Sequence, residues 1–332
     1  MPRRVPVRDA LERAWYDGSR WIWLLLPLSA LYGLIVSIRR QLYARKILTT
    51  YRSPAPVLVV GNITVGGTGK TPVVAALVER LSARGLRPGV VTRGYGGQAS
   101  DWPHQVRGED DPALYGDEAV LLARRTGVPV VAAPRRADAA RQLLDLGVNF
   151  IVADDGLQHL ALARDAEVEV VDGARGYGNG FLLPAGPLRE AQTSRRRVDL
   201  RLVNGGEGDF TLQARDCHPL GRPEAREDLR AWSGRAVHAV AAIGHPQRFF
   251  DTLTAAGIRV TPHRFPDHHA FDQGDFRGLD DRPIFMTEKD AVKCERLRLP
   301  RAFVLPVDAV FTHQARQAVD DLLDRLLDAR SH

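Results

Sequence analysis

The stretch VLVVGNITVGGTGKTPVVAALVERL, residues 57–81, decides the fold. It opens on an apolar, β-branched run and closes on a segment with apolar positions three or four apart, so a strand passes through a glycine-rich turn straight into an amphipathic helix. Backbone N–H groups of Gly66, Gly67, Thr68 and Gly69 can then surround phosphate oxygens at a helix N-terminus, where the dipole favours negative charge. Thr64 and Val65 lead into this cradle. Lys70 would reach the β- and γ-phosphates of a nucleotide, and the Thr71 hydroxyl would bind Mg²⁺. Pro72 falls in the first helical turn, where its missing N–H costs little. The strict pattern G-x-x-x-x-G-K-[ST] asks for glycine at position 64, where this chain has threonine. A mere tight turn, however, has no use for Lys70 and Thr71 in that register.

Outward from this stretch, short β-branched runs alternate with helix-length segments, the pattern of a mostly parallel sheet covered on both faces. Strands are expected at 57–60, 89–92, 128–132, 148–153, 168–171 and 200–203, with helices at 71–84, 117–125 and 137–146. Residues 173–197 are rich in Gly, Pro and Arg without a period and read as a long functional loop or hairpin. A shift to GGEGD at residues 205–209 marks a hinge, after which a smaller α/β layer follows, closing on a helix at 313–329. The expected fold is thus α/β, a P-loop NTPase-like mostly parallel sheet with helices on both faces, a smaller C-terminal α/β lobe and an N-terminal membrane-associated helix. Its expected divisions are 1–48, 49–208 and 209–332.

The N-terminal expectation rests on Trp21 to Ile38, WIWLLLPLSALYGLIVSI, which carries no charge. At about 1.5 Å per residue it can just reach across a ~30 Å hydrocarbon core. Arg3, Arg4, Arg8, Arg13 and Arg20 precede it and Arg39, Arg40, Arg45 and Lys46 follow, so the positive-inside rule gives no orientation. Cations at both ends and Trp15, Trp21 and Trp23 at one side suit an anchor in the cytoplasmic leaflet as well as a span; a buried core helix is the plainer alternative. Arg39 and Arg40 directly after the run disfavour a cleaved signal peptide.

With 332 residues, 44% of them hydrophobic, the chain can bury a full core. A formal charge of +6 favours anionic partners, but no helicase-like block or aromatic platform points to nucleic acid. No obligate protein partner is evident. Cys217 and Cys294 form no C-x-x-C pair, which suits a reducing compartment and argues against a metal site built on them.

Three further clusters carry chemistry. NFIVADDGLQH, residues 149–159, ends an apolar strand in Asp154 and Asp155, where carboxylates of an open parallel sheet meet the ligand crevice and one of them can hold Mg²⁺. YGDEAVLLA puts Asp117 and Glu118 at a helix start, where the plain reading is N-capping by Asp117. FPDHHAF sets Asp267, His268 and His269 on a loop, as a base, a metal site or an ordinary polar turn. Zinc is disfavoured, since no H-x-x-x-H spacing accompanies the pair.

With TVGGTGKTP, TRGYGG, YGDEA, VADDGLQH, LLPAGPLRE, DHHAF and MTEKDAVKC in this order, the sequence resembles the tetraacyldisaccharide 4'-kinase family of lipid A synthesis over nearly its whole length. The resemblance implies transfer of the γ-phosphoryl of ATP, with Mg²⁺, to the 4'-hydroxyl of a lipid A disaccharide precursor at the cytoplasmic face of the inner membrane. It also implies a two-stranded connection between a P-loop core and a smaller lobe. In this sequence it implies that Asp117 pairs with His268 to activate the hydroxyl, and that Glu118 and Asp155 help hold Mg²⁺. Tyr95, Gln158, Arg189 and Glu190 would line the sugar and phosphate side, and Arg136 would contact the γ-phosphate. The alternative is a membrane-associated ATPase switch of the partitioning type, which shares a GG-x-GKT loop but carries a signature lysine where this chain has Val65.

Overall fold

The computed structural model describes residues 7–195, 198–214 and 216–329. The chain forms two compact units, one comprising Met1–Lys70, Ala153–Phe210 and Phe311–His332, the other Thr71–Val152 and Thr211–Val310.

In the first unit the strand Val57–Gly61 is buried along its whole length and pairs in parallel with Ala166–Asp172, Val60 lying opposite Val168. Ala166–Asp172 pairs in parallel with Leu200–Asn204 in turn. Burial along its whole length is why Val57–Gly61 reads as a continuous apolar run, whereas AEVEVVD at Ala166–Asp172 and LRLVN at Leu200–Asn204 alternate. Helix His313–Asp328, capped by Thr312, buries Val319, Leu322, Leu323 and Leu326 and packs against Leu200–Asn204. The sequence reading set this helix in the C-terminal lobe. Its apolar stripe instead covers a strand of the first unit, so the unit is not contiguous in sequence. The chain leaves and re-enters this unit within two strands, Phe210–Gln213 and Asp308–Phe311.

A 3₁₀ turn, Arg20–Leu25, runs into helix Leu26–Ala44. The most apolar 18-residue window of Arg20–Ala44 has a mean hydropathy of 2.0, and the stretch is long and apolar enough to cross a membrane by length and composition; with 11% of that window buried, it is not a core helix. Leu24, Leu28, Leu31, Leu34, Ile35 and Ile38 are exposed. The docked stripe is polar and small: Ser29, Tyr32, Gly33 and Arg40, at helical spacing. It meets the Gly- and Pro-rich segment after Gly173. Ser29 Oγ donates to the Leu182 carbonyl at 2.8 Å and accepts from the Ala185 N–H at 2.9 Å, while Trp15 Nε1 donates to the Pro184 carbonyl at 3.0 Å. A Cβ at Gly33 would lie 2.7 Å from Leu182 Cδ1, so a larger residue there would require that leucine side chain to shift. Of the expected basic flank, Arg3 and Arg4 fall outside the described residues, as do positions 196–197 of the loop.

The second unit holds two layers. Strand Pro88–Thr92 pairs in parallel with Val130–Ala132, and helices Asp117–Thr126 and Arg136–Asp145 pack against this pair. A six-stranded sheet runs in the order Glu227–Asp228, Asp216–Pro219, Ala302–Leu305, Ile284–Thr287, Ala236–Ala241, Arg259–Arg264. The short strands His104–Val106, Asp216–Pro219 and Glu227–Asp228 have no apolar run and escape a reading by periodicity. Cys217 and Cys294 are both free and fully buried. Burial pushes the Cys217 thiol up to about 12 and raises that of Cys294 further.

Candidate active site

In the first unit the phosphate loop is shaped by its own backbone. Gly66 and Gly69 hold φ of 113° and 93°, a region that side chains avoid. Gly67 is exposed with open space where a Cβ would stand. Thr64 has no positive φ, which explains why glycine is not needed there. Its carbonyl and Oγ1 instead take the Asn62 Nδ2 group at 2.8 and 3.2 Å, and it bridges to Leu188. Val65 N–H donates to the Pro187 carbonyl, and the Thr68 carbonyl accepts from the buried Asn204 side chain.

Lys70 Nζ donates to Asn62 Oδ1 at 3.1 Å and stands 3.6 Å from Asp155 Oδ1. Arg189 Nη1 holds the other Asp155 oxygen at 2.9 Å. The structure thus brings Lys70, Asp155 and Arg189 together, with Asp154 buried at the end of strand Phe150–Asp154. Glu190 is 3% exposed, its two oxygens engaged by Arg40 Nη1 at 2.8 Å and Gln158 Nε2 at 2.7 Å. Gln158 and Glu190 therefore face each other and not open space.

In the second unit Asp117, 5% exposed, accepts from His268 Nδ1 at 3.0 Å. Helix Asp117–Thr126 begins at Asp117 with Gly116 in the cap position and no side-chain cap bond, so Asp117 is the first helical residue and not the expected N-cap. Lys289 Nζ lies 3.4 Å from His268 Nε2, donates to Glu118 Oε1 at 3.0 Å and stands 3.5 Å from Asp267 Oδ1. The Asp117 carboxylate, which only accepts, lies 3.0 Å from Nδ1, and the Lys289 ammonium, which only donates, lies nearer Nε2 at 3.4 Å than Asp267 Oδ2 does at 3.7 Å, an arrangement that favours the proton on Nδ1 and a lone pair on Nε2. The exposed Tyr95 ring tilts against His268 with centroids 5.1 Å apart.

The electrostatics follow. The Asp117 hydrogen bond raises the His268 pKa above 6.5, against burial and the Lys289 charge. Burial opposes ionisation of Asp117, but the His268 hydrogen bond and Lys289 prevail and its pKa is lowered. Burial likewise disfavours the Lys289 charge, and Glu118, Asp117 and Asp267 outweigh it and hold the ammonium charged.

Several of these residues carry no signal of their own in the sequence. Lys289 was visible only as part of MTEKDAVKC. That block opens helix Glu288–Cys294 with a reciprocal cap, in which Thr287 Oγ1 accepts from the Asp290 N–H and donates to Asp290 Oδ2. Asp290 also accepts from Ala242 N–H, and the Ala242 carbonyl accepts from His268 N–H. Arg125 Nη1 to Glu288 Oε2, 2.7 Å, ties this helix to the one bearing Asp117. Asp155 and His268 are two of only three non-glycine residues with positive φ among those described. Such conformations persist where surrounding structure enforces them, often at functional sites. Thr71 lies in the first turn of helix Lys70–Ala83, and the buried Arg136 begins helix Arg136–Asp145. Among the described residues no group of three His, Cys, Asp or Glu could hold a metal ion. Thr71, Asp154, Asp155 and Glu118 are nonetheless hard oxygen donors, and Mg²⁺ on a nucleotide commonly takes only one or two carboxylates beside phosphate oxygens.

The family model for tetraacyldisaccharide-1-P 4'-kinase (LpxK) matches residues 21–327. The chain is 48% identical over 336 residues to a tetraacyldisaccharide 4'-kinase of Hahella chejuensis, covering 97% of this chain and 98% of that one. It is 51% identical over 306 residues to that of Aeromonas hydrophila, with 90% and 91% covered. Among solved structures, LpxK from Aquifex aeolicus in complex with ATP superposes with a TM-score of 0.75 at 27% identity, over 92% of this chain and 99% of that one.

Proposed function

The chain belongs to the tetraacyldisaccharide-1-phosphate 4'-kinase family, and from that premise we propose that it transfers the γ-phosphoryl group of ATP to the 4'-hydroxyl of a tetraacyldisaccharide 1-phosphate, at the cytoplasmic face of the inner membrane. The observation that carries this reading is the carboxylate–histidine pair, Asp117 and His268 at 3.0 Å, whose unprotonated Nε2 suits a proton leaving a hydroxyl. A partitioning-type switch, which passes phosphate to water, has no need of an alcohol acceptor site.

In this reading the loop from Thr64 to Thr71 takes the phosphates. Lys70 and Arg136 neutralise charge that develops on the transferring group. His268 Nε2 takes the hydroxyl proton as the new O–P bond forms and the bond to the β-phosphate oxygen breaks, releasing ADP. Asp117 holds the ring tautomer and stabilises the imidazolium. Thr71, Asp154, Asp155 and Glu118 are the residues that would hold Mg²⁺, which when bound offsets phosphate charge. Tyr95 and Arg189 serve the substrate side, while Gln158 and Glu190 act by positioning. The exposed apolar face of helix Leu26–Ala44 sits in lipid and brings an acylated substrate within reach.

Incubation of the full-length protein with ATP, Mg²⁺ and the disaccharide lipid, followed by mass spectrometry, should give a product heavier by one phosphate. ATP hydrolysis without any phosphorylated lipid would favour the switch.

A further inference from the structure

Helix Leu26–Ala44 reaches the phosphate loop by two routes that start on one stripe and meet on one atom. Arg40 Nη1 donates to Glu190 Oε2 at 2.8 Å. Gln158 Nε2 spends one hydrogen on Glu190 Oε1 at 2.7 Å and the other on the Asn62 carbonyl at 3.2 Å. The Asn62 side chain then divides its two ends, Nδ2 on Thr64 and Oδ1 accepting from Lys70 Nζ at 3.1 Å. The second route begins about two helical turns earlier, where the Tyr32 hydroxyl donates to the Arg189 carbonyl at 2.9 Å. Arg189 Nη1 holds Asp155 Oδ2 at 2.9 Å, and Asp155 Oδ1 stands 3.6 Å from the same Lys70 ammonium.

A lysine ammonium is a point charge on a flexible stem, so its placement depends on acceptors that are themselves fixed. Glu190, 3% exposed, is the weak point of that arrangement. A buried carboxylate that loses its cation takes up a proton or turns toward water, and either response releases Gln158 and with it Asn62. We propose that Arg40 is a positioning residue for Lys70: by holding Glu190 it fixes Gln158, Asn62 and the ammonium, so that the apolar helix is part of the phosphate site as well as its tether. The inference rests on the reading of Lys70 as the phosphate lysine.

Arg39 provides a charge-matched control. It is exposed and lies over the Tyr43 ring at 5.9 Å, so its loss removes the same attraction to anionic lipid without touching Glu190. The test uses the full-length protein in non-ionic detergent with ATP, Mg²⁺ and tetraacyldisaccharide 1-phosphate. Arg40→Gln should lower kcat/KM for ATP by about 10-fold to 10²-fold, the range for misplacing a catalytic group from a distance. Arg40→Lys, which keeps one charged donor, should recover most of the loss, and Arg39→Gln should stay within about twofold, as surface changes do. In the Lys70→Ala background, Arg40→Gln should add little, because the two act on one group. Equal ATP kinetics for Arg40→Gln and Arg39→Gln, or a fully additive loss with Lys70→Ala, would overturn the proposal. Near-normal turnover of Lys70→Ala alone would instead sink the phosphate-loop reading and take this inference with it.

Discussion

One unbroken run, Asn62 to Thr71, carries the phosphate loop, whereas the acid–base cluster draws Tyr95, Asp117, Glu118, Asp267, His268 and Lys289 from separated parts of the chain. The loop needs only glycines at positive φ and a helix start, both of which neighbouring residues supply. The cluster has no such local logic. Its geometry hangs on the Thr287–Asp290 cap, the Asp290–Ala242–His268 contacts and the Arg125–Glu288 ion pair. A site made of consecutive residues can be read from its own stretch of sequence; one assembled by packing cannot.

The sharpest test of that difference is the pair itself. His268→Ala and Asp117→Ala should each lower kcat by about 10²- to 10⁴-fold with ATP affinity nearly unchanged, and the double variant should be little worse than the poorer single one. Single-turnover rates and ATP titrations on the four proteins check this. Additive losses would show that the two residues do not act as a unit.

Lys70→Ala should cost about 10²- to 10³-fold in kcat, since the charge serves the transition state, with a smaller change in KM. Steady-state kinetics at saturating lipid decide it. A loss confined to KM would mean that Lys70 only binds ground-state phosphate.

The effect of pH is expected to be smaller and to separate the two regions cleanly. Imidazolium cannot accept a proton, so kcat should fall on the acid side of an apparent pKa above 6.5, chiefly because of the Asp117 hydrogen bond. Lys289→Met removes a cation that opposes His268 protonation, and the acid limb should move to higher pH. The same raised pKa favours the folded state below 6.5 and loses that contribution as pH rises through the folded value. A pH–rate profile unchanged by Lys289→Met would remove the lysine from the base's surroundings.

Smallest of all should be Thr64→Gly, which restores the strict loop pattern. Because Thr64 needs no positive φ, the change should leave kcat near normal and cost about 0.5–1 kcal/mol in stability from backbone entropy, measured by chemical denaturation. A gain in turnover would mean that the threonine restrains the loop.

What the sequence made legible follows the same division. The strand–turn–helix of residues 57–81 and the parallel sheets were readable because their periods are local. The Asp117–His268 pairing came from resemblance alone, since no spacing links residues so far apart. The N-terminal helix was half legible: hydropathy gave its exposed apolar side, but averaging hid the stripe of Ser29, Tyr32, Gly33 and Arg40 by which it docks. The lining role of Glu190 came from the resemblance, and only tertiary structure reveals its two partners. Lys289 looked like any helix lysine until the carboxylates around it were in place.

The two cysteines make the native chain ready for site-directed labelling. Maleimides and haloacetamides react with thiolates, and Cys217 and Cys294 are buried with pKa values raised far above neutrality, so the folded protein offers such reagents almost nothing. A thiol introduced by Ile35→Cys, on the exposed apolar face, becomes the single reactive position without any cysteine-free background. A polarity-sensitive fluorophore there would report bilayer depth directly, with quenchers placed at successive acyl carbons serving as the ruler.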